Sequence, residues 1–148
     1  VNGGADAELL LHASCVSVGR SAVLIVGPSG AGKSDLALRL IDRGATLVAD
    51  DCTLLRRDGA GLIARAPDTI AGRIEVRGIG ILSMAHRDNV PVALIVLLGK
   101  TVDRMPEPDA ATDVLGMAVP SINIEAHEAS APIKVELALR RYAAGEQG

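Results

Sequence analysis

The sequence predicts an α/β fold, a single P-loop-containing domain built on a mixed β-sheet, and three observations carry that prediction. Short apolar runs punctuated by Gly, Asp and Pro dominate the chain, the pattern of many buried strands and few helices. The run "SAVLIVG" leads through the glycine-rich "GPSGAGKS" into the helical pattern "KSDLALRLIDR", a strand–loop–helix unit. The stretch "CTLLRRDGAGLIARA" turns at Asp58-Gly59, a strong hairpin signal that adds antiparallel pairs to the parallel ones a crossover implies.

Taken in order, residues 1–9 read as a frayed end, and residues 10–148 as one domain. "CVSVG" and "SAVLIVG" predict two strands joined at Gly19-Arg20. Residues 33–43 place Leu36, Leu40 and Ile41 on one helical face, and Gly44 supplies the stop. "ATLVADD" predicts a buried strand ending in two carboxylates. It follows the helix, as a parallel crossover requires. "RIEVRGIGIL" alternates like a strand, while Gly78 and Gly80 predict a bend or a close backbone approach. "PVALIVLLG" is a core strand and "MPEPDAATD" an acidic, proline-rich loop. "APIKVELALRRYAA" predicts a final helix with Glu136 and Arg140 at i,i+4 spacing.

Composition narrows the function. The 148 residues are 49% hydrophobic, enough for one core without disulfides. Tyr142 is the only aromatic residue and the net charge is −3, which argues against nucleic acid as a main partner. Cys15 and Cys52 lack metal-ligand spacing and read as free thiols of a cytoplasmic protein. No apolar run approaches the ~20 residues that cross a bilayer, so no membrane association is expected.

The pattern G-x-x-x-x-G-K-[ST] spans Gly27, Pro28, Ser29, Gly30, Ala31, Gly32, Lys33 and Ser34. Its glycines let successive N–H groups point into one hollow, where the following helix adds its positive dipole end. In such a loop the lysine reaches the β and γ phosphates of a nucleotide, and the hydroxyl after it ligates Mg²⁺. A glycine-rich turn of no function is the weaker reading, because the motif sits between a strand and a helix.

A second metal contact and a base must come from elsewhere. "VALIVLLGK" ends in Gly99-Lys100 without an acid, whereas "LVADD" supplies Asp50 and Asp51. Adjacent residues of a strand point to opposite faces, so the two are not expected to serve one atom. One could bind metal or water while the other takes a proton, or the pair is an ordinary one that caps a strand and starts a turn. Glu75 is a further metal candidate, and an acid between apolar strand neighbours otherwise faces solvent. His12 by default is a strand-edge histidine. His86 and His127 receive no role, and Arg104 alone is one more surface arginine.

"HAS", "GPSGAGKS", "LVADD", "IEVRGIGIL" and "VDRM" occur in the order seen in HPr kinase/phosphorylase. The chain resembles the catalytic domain of that family over about residues 10–142, and the resemblance implies an HPr kinase / PEP carboxykinase-like fold. It also implies ATP and Mg²⁺ as cofactors, a serine of the phosphocarrier HPr as substrate, and a homo-oligomer, hexameric in the family. Carried over by motif, Lys33 sits on the phosphates, Ser34 and Glu75 bind Mg²⁺, Asp51 accepts the proton and His12 lies near it. Arg104 matches the arginine of a Y-D-R-L segment. Arg77 and Gly78 fall within the E-I-R-G-L-G-I signature.

The resemblance implies a short form lacking the family's N-terminal domain. "SMAHRDNV" is shorter than the family's F-G-A-G-A-V-R-like segment, and "HEASAP" stands where P-G-R-N is usual. In the family those segments are tied to partner engagement and to the reverse, phosphorolytic reaction, while the kinase motifs are intact, so the resemblance supports kinase activity rather than phosphorylase activity. Two other readings stay open on the residues alone: a small-molecule kinase, and a nucleotide-sensing module without phosphotransfer.

Overall fold

A computed structural model describes residues 7–107 and 109–147, with side chains as far as Tyr142. In chain order it holds β1 (Glu8–Leu11), β2 (Ala13–Val18), β3 (Ser21–Val26), α1 (Lys33–Asp42), β4 (Thr46–Ala49), β5 (Thr53–Asp58) and β6 (Gly61–Arg65). There follow β7 (Arg73–Val76), β8 (Gly80–Ser83), β9 (Val90–Leu97), β10 (Ala111–Val114), β11 (Met117–Asn123) and α2 (Ala131–Gln147). Strand β1 begins inside the 1–9 segment expected to fray; residues 1–6 lie outside the described residues.

The main sheet runs β1-β5-β6-β9-β3-β2-β4. Strand β9 is its hub. One edge pairs in parallel with β3, while the other carries β6 at Val90–Pro91 and β11 at Ile95–Leu97. The β3–β9 and β9–β11 pairs are parallel and the rest antiparallel, so the sheet is mixed as expected.

One expectation needs correction. Strand β4 follows the helix, but it pairs antiparallel with β2, which separates it from β3. The parallel neighbour of β3 is β9, far along the chain. The tight turn at Gly19-Arg20 has already filled that edge of β3 with β2. "RIEVRGIGIL" likewise is a two-stranded hairpin, β7–β8, rather than one bent strand.

Both faces of β3 are buried. Val23 and Ile25 face α1 and α2 through Leu36, Leu40, Val135 and Leu139. Ala22 and Leu24 face the opposite core, with Leu55, Leu62, Ala64 and Val119 from the curled part of the sheet. Period-two alternation with apolar residues on both sides explains the unbroken run "AVLIV".

The expected Glu136–Arg140 pair within α2 is absent from the described ion pairs. Glu136 instead meets Arg43, with Arg43 Nη2 2.7 Å from Glu136 Oε1. A partner on the neighbouring helix takes the carboxylate, and the contact ties the end of α1 to α2.

Candidate functional site

The site is assembled where β3 and β4 end and α1 begins. Ala31 N–H donates to Pro28 O at 3.0 Å, closing a turn whose third residue, Gly30, has φ 83. A type II turn needs a positive φ there, which glycine supplies without a steric cost. Gly32 then starts α1 at φ 101 with no side-chain cap, leaving the first N–H groups of the helix for a ligand. Lys33 Nζ donates to Gly27 O at 2.9 Å and to Pro28 O at 3.2 Å, folded back over its own loop.

Gly27 is needed for space. An added Cβ would lie 2.9 Å from Leu98 Cβ and 3.2 Å from Leu98 O. Neither atom swings aside, so Gly27→Ala must shift the loop backbone. It is expected to destabilise the protein by about 1–3 kcal/mol and to weaken ADP binding by about tenfold. Urea unfolding and calorimetric titration check both, and wild-type affinity would mean the loop accommodates the methyl group.

The two adjacent carboxylates differ sharply. Asp50 is 7% exposed. Its Oδ1 accepts hydrogen bonds from Ser34 Oγ at 2.6 Å and Ser14 Oγ at 2.9 Å, and its Oδ2 accepts from Glu75 N–H at 3.0 Å. Asp51 is exposed at φ 72, and Cys52 N–H donates to Asp50 O at 2.8 Å across it. Such a three-residue turn with positive φ at its centre is rare and strained, the kind of geometry found at functional sites.

Both residues lie past the end of β4, so it is the turn at Asp51, and not strand alternation, that separates the pair, and one carboxylate joins three motifs. Through Asp50, the phosphate-loop serine, the "HAS" strand and the β7–β8 hairpin meet at one point. Glu75 is exposed on β7, with Arg77 and Gly78 in the turn that follows. His12 Nδ1 lies 3.7 Å from Cys52 Sγ, beside the turn that carries Asp51. Burial, and then the charge of Asp51, push the Cys52 thiol above its ordinary range. Arg104 is exposed in the irregular stretch after β9, and among the described residues no hydrogen bond or ion pair ties it to the loop.

Two site residues escaped the sequence. Ser14 ends the "HAS" motif but takes no role of its own from it, because it also lies in the apolar strand "ASCVSV". His127 lies in a segment held against α1, where Arg39 donates to Ala126 O and Glu128 O. Its Cε1 would be 3.8 Å from a Cβ on Gly32, so it borders the phosphate loop.

The side-chain donors that meet here are oxygens, the Ser34 hydroxyl and the Asp50 carboxylate behind it, while Glu75 reaches Asp50 through its backbone N–H and carries its exposed carboxylate on the neighbouring hairpin. They suit a hard cation. Among the described residues no three His, Cys, Asp or Glu side chains form a cage.

The family model described as HPr Serine kinase C-terminal domain matches residues 6–148. This chain belongs to that family. It is 36% identical over 126 residues to the HPr kinase/phosphorylase of Caldicellulosiruptor bescii, covering 76% of this chain and 40% of the relative. It is 33% identical over 127 residues to the HPr kinase/phosphorylase of Bacillus subtilis, covering 77% and 41%. The chain therefore spans about 40% of the length of these curated relatives.

The HPr(Ser) kinase/phosphatase of Coxiella burnetii superposes with a TM-score of 0.82 at 30% identity, covering 95% of this chain and 99% of that one. The α/β fold with its mixed sheet is the fold of an HPr kinase. Among the described residues no helix is long and apolar enough to cross a membrane.

Proposed function

We propose that the protein is an ATP-dependent serine kinase that phosphorylates HPr in the cytoplasm. The observation that carries the reading is the convergence on Asp50: Ser34 of the glycine-rich loop and the Glu75 backbone both bond its carboxylate, and Asp51 is the next residue along the chain. Family membership supports the same reaction class.

The chemistry follows from the residues. The loop N–H groups and the α1 N-terminus bind the phosphates of ATP, and Lys33 leaves the Gly27 and Pro28 carbonyls to meet the transferring group. Ser34 and Glu75 hold Mg²⁺, with Asp50 orienting the Ser34 hydroxyl from behind. When bound, the cation neutralises charge on the phosphates. Asp51 takes the proton of the substrate seryl hydroxyl as its oxygen bonds the γ-phosphorus. The bond from that phosphorus to the β–γ bridging oxygen breaks, and ADP leaves. His12 lies beside this turn, and Arg104 is assigned to the same site by its motif. Arg77 and Gly78 shape the hairpin that presents Glu75.

Phosphate transfer from γ-labelled ATP to purified HPr, with and without its acceptor serine, tests the reading. Serine-dependent labelling that requires Mg²⁺ is expected. Tight ATP binding with no label on HPr would instead favour a nucleotide sensor.

A further inference from the structure

Ser14 closes the "HAS" motif, in which only His12 has an assigned role, yet its hydroxyl touches both members of the acidic pair. It donates to Asp50 Oδ1 at 2.9 Å and accepts the Asp51 N–H at 3.3 Å. The side chain is fully buried. Strand register explains how it gets there. Cys15 pairs with Ala49 across β2 and β4, which brings Ser14 alongside Asp50, and the register shifts between Cys15 and Val16. A shift of this kind twists the strand locally and re-aims the neighbouring side chains.

We infer that Ser14 is a positioning residue for phosphoryl transfer, fixing Asp50 as a hydrogen-bonded anchor and holding Asp51 in its left-handed turn so that Asp51 alone faces the substrate serine. The inference rests on the kinase reading above. A hydroxyl has one donor and two acceptor sites, so Ser14 can serve both carboxylate residues at once. A non-glycine residue at φ 72 persists only when its surroundings hold it there. Here the Cys52 N–H bond to Asp50 O and the Asp51 N–H bond to Ser14 do so. Ser34 shares Asp50 Oδ1 with Ser14. If the Ser34 hydroxyl turns toward a bound nucleotide, Ser14 is the side-chain donor left on that oxygen.

The experiment compares Ser14→Ala, Ser14→Cys and Ser14→Thr with wild type, measuring HPr phosphorylation kinetics, ADP affinity and the unfolding midpoint. In the Ala and Cys variants kcat should fall by about ten- to a hundredfold, with KM for ATP and ADP affinity within about twofold of wild type. Ser14→Thr restores the hydroxyl and should recover most of the rate. Cysteine preserves the packing, so its loss cannot be assigned to a cavity. Wild-type kcat in Ser14→Ala overturns the inference, as does an equal loss in ADP affinity, which a general distortion of the site would produce. A wild-type protein that binds ADP but labels no HPr overturns the kinase reading itself, and the positioning role falls with it.

Discussion

Asp51→Asn is expected to lower HPr phosphorylation by roughly a hundred- to ten-thousandfold, the usual contribution of a positioned general base. ADP affinity should stay at the wild-type value. The amide keeps the size and shape of the side chain but cannot accept the seryl proton as a carboxylate does. The Asp51 side chain is exposed, and among the described residues only its backbone N–H joins the hydrogen-bond network, so little else changes. Asp50→Asn should behave differently. Its carboxylate accepts from Ser14, Ser34 and the Glu75 N–H, and an amide nitrogen would face at least one of those donors. Loss of ADP affinity together with turnover is expected there. Wild-type transfer by Asp51→Asn would move the base to Asp50 and overturn the division of labour between them.

That division was legible only in part. The sequence puts two adjacent carboxylates just past a strand, but the turn that parts them at Asp51, and which of them is buried, depend on the strand beside them. That strand, β2, arrives from earlier in the chain, and its Ser14 is indistinguishable from any small residue in an apolar run. The helix after "GPSGAGKS" and the β5–β6 hairpin were readable because each depends on neighbouring residues alone, although the hairpin's turn residues are Gly59-Ala60, one past the expected Asp58-Gly59.

The β10–β11 hairpin was not readable, for a specific reason. Its turn uses Leu115 and Gly116 at φ 52 and 80, whereas Asn-Gly or Asp-Gly is the pair expected where two positive φ values are needed. Leucine conceals the turn. Strand β1 is four residues long and pairs only with β5, so "ELLL" carries no alternation to reveal it. The pairing of β4 and the Arg43–Glu136 contact are likewise long-range choices, and local spacing suggested different partners.

Lys33→Met is the second substitution with a large expected effect, and it acts on the other side of the reaction. Methionine retains the unbranched stem and removes the charge. The Lys33 ammonium rests on the Gly27 and Pro28 carbonyls, two acceptors belonging to the loop that is to hold the phosphates. Those bonds keep the cation on its own loop, and it leaves them when phosphate oxygens offer stronger, charged acceptors. Removing a preorganised donor aimed at charge that develops in the transition state lowers kcat by about a hundred- to a thousandfold. Because the ammonium also meets the ground-state phosphates, ATP affinity should fall too, separating this variant from Asp51→Asn, which spares binding. Lys33→Arg should not restore the rate: a planar guanidinium is not a compact point charge and does not fit between the same two carbonyls. Single-turnover transfer and ADP titration on the three proteins check this. If Lys33→Met transfers phosphate at the wild-type rate, the charge on the transferring group is met by another cation, and Arg104 would be the first to replace.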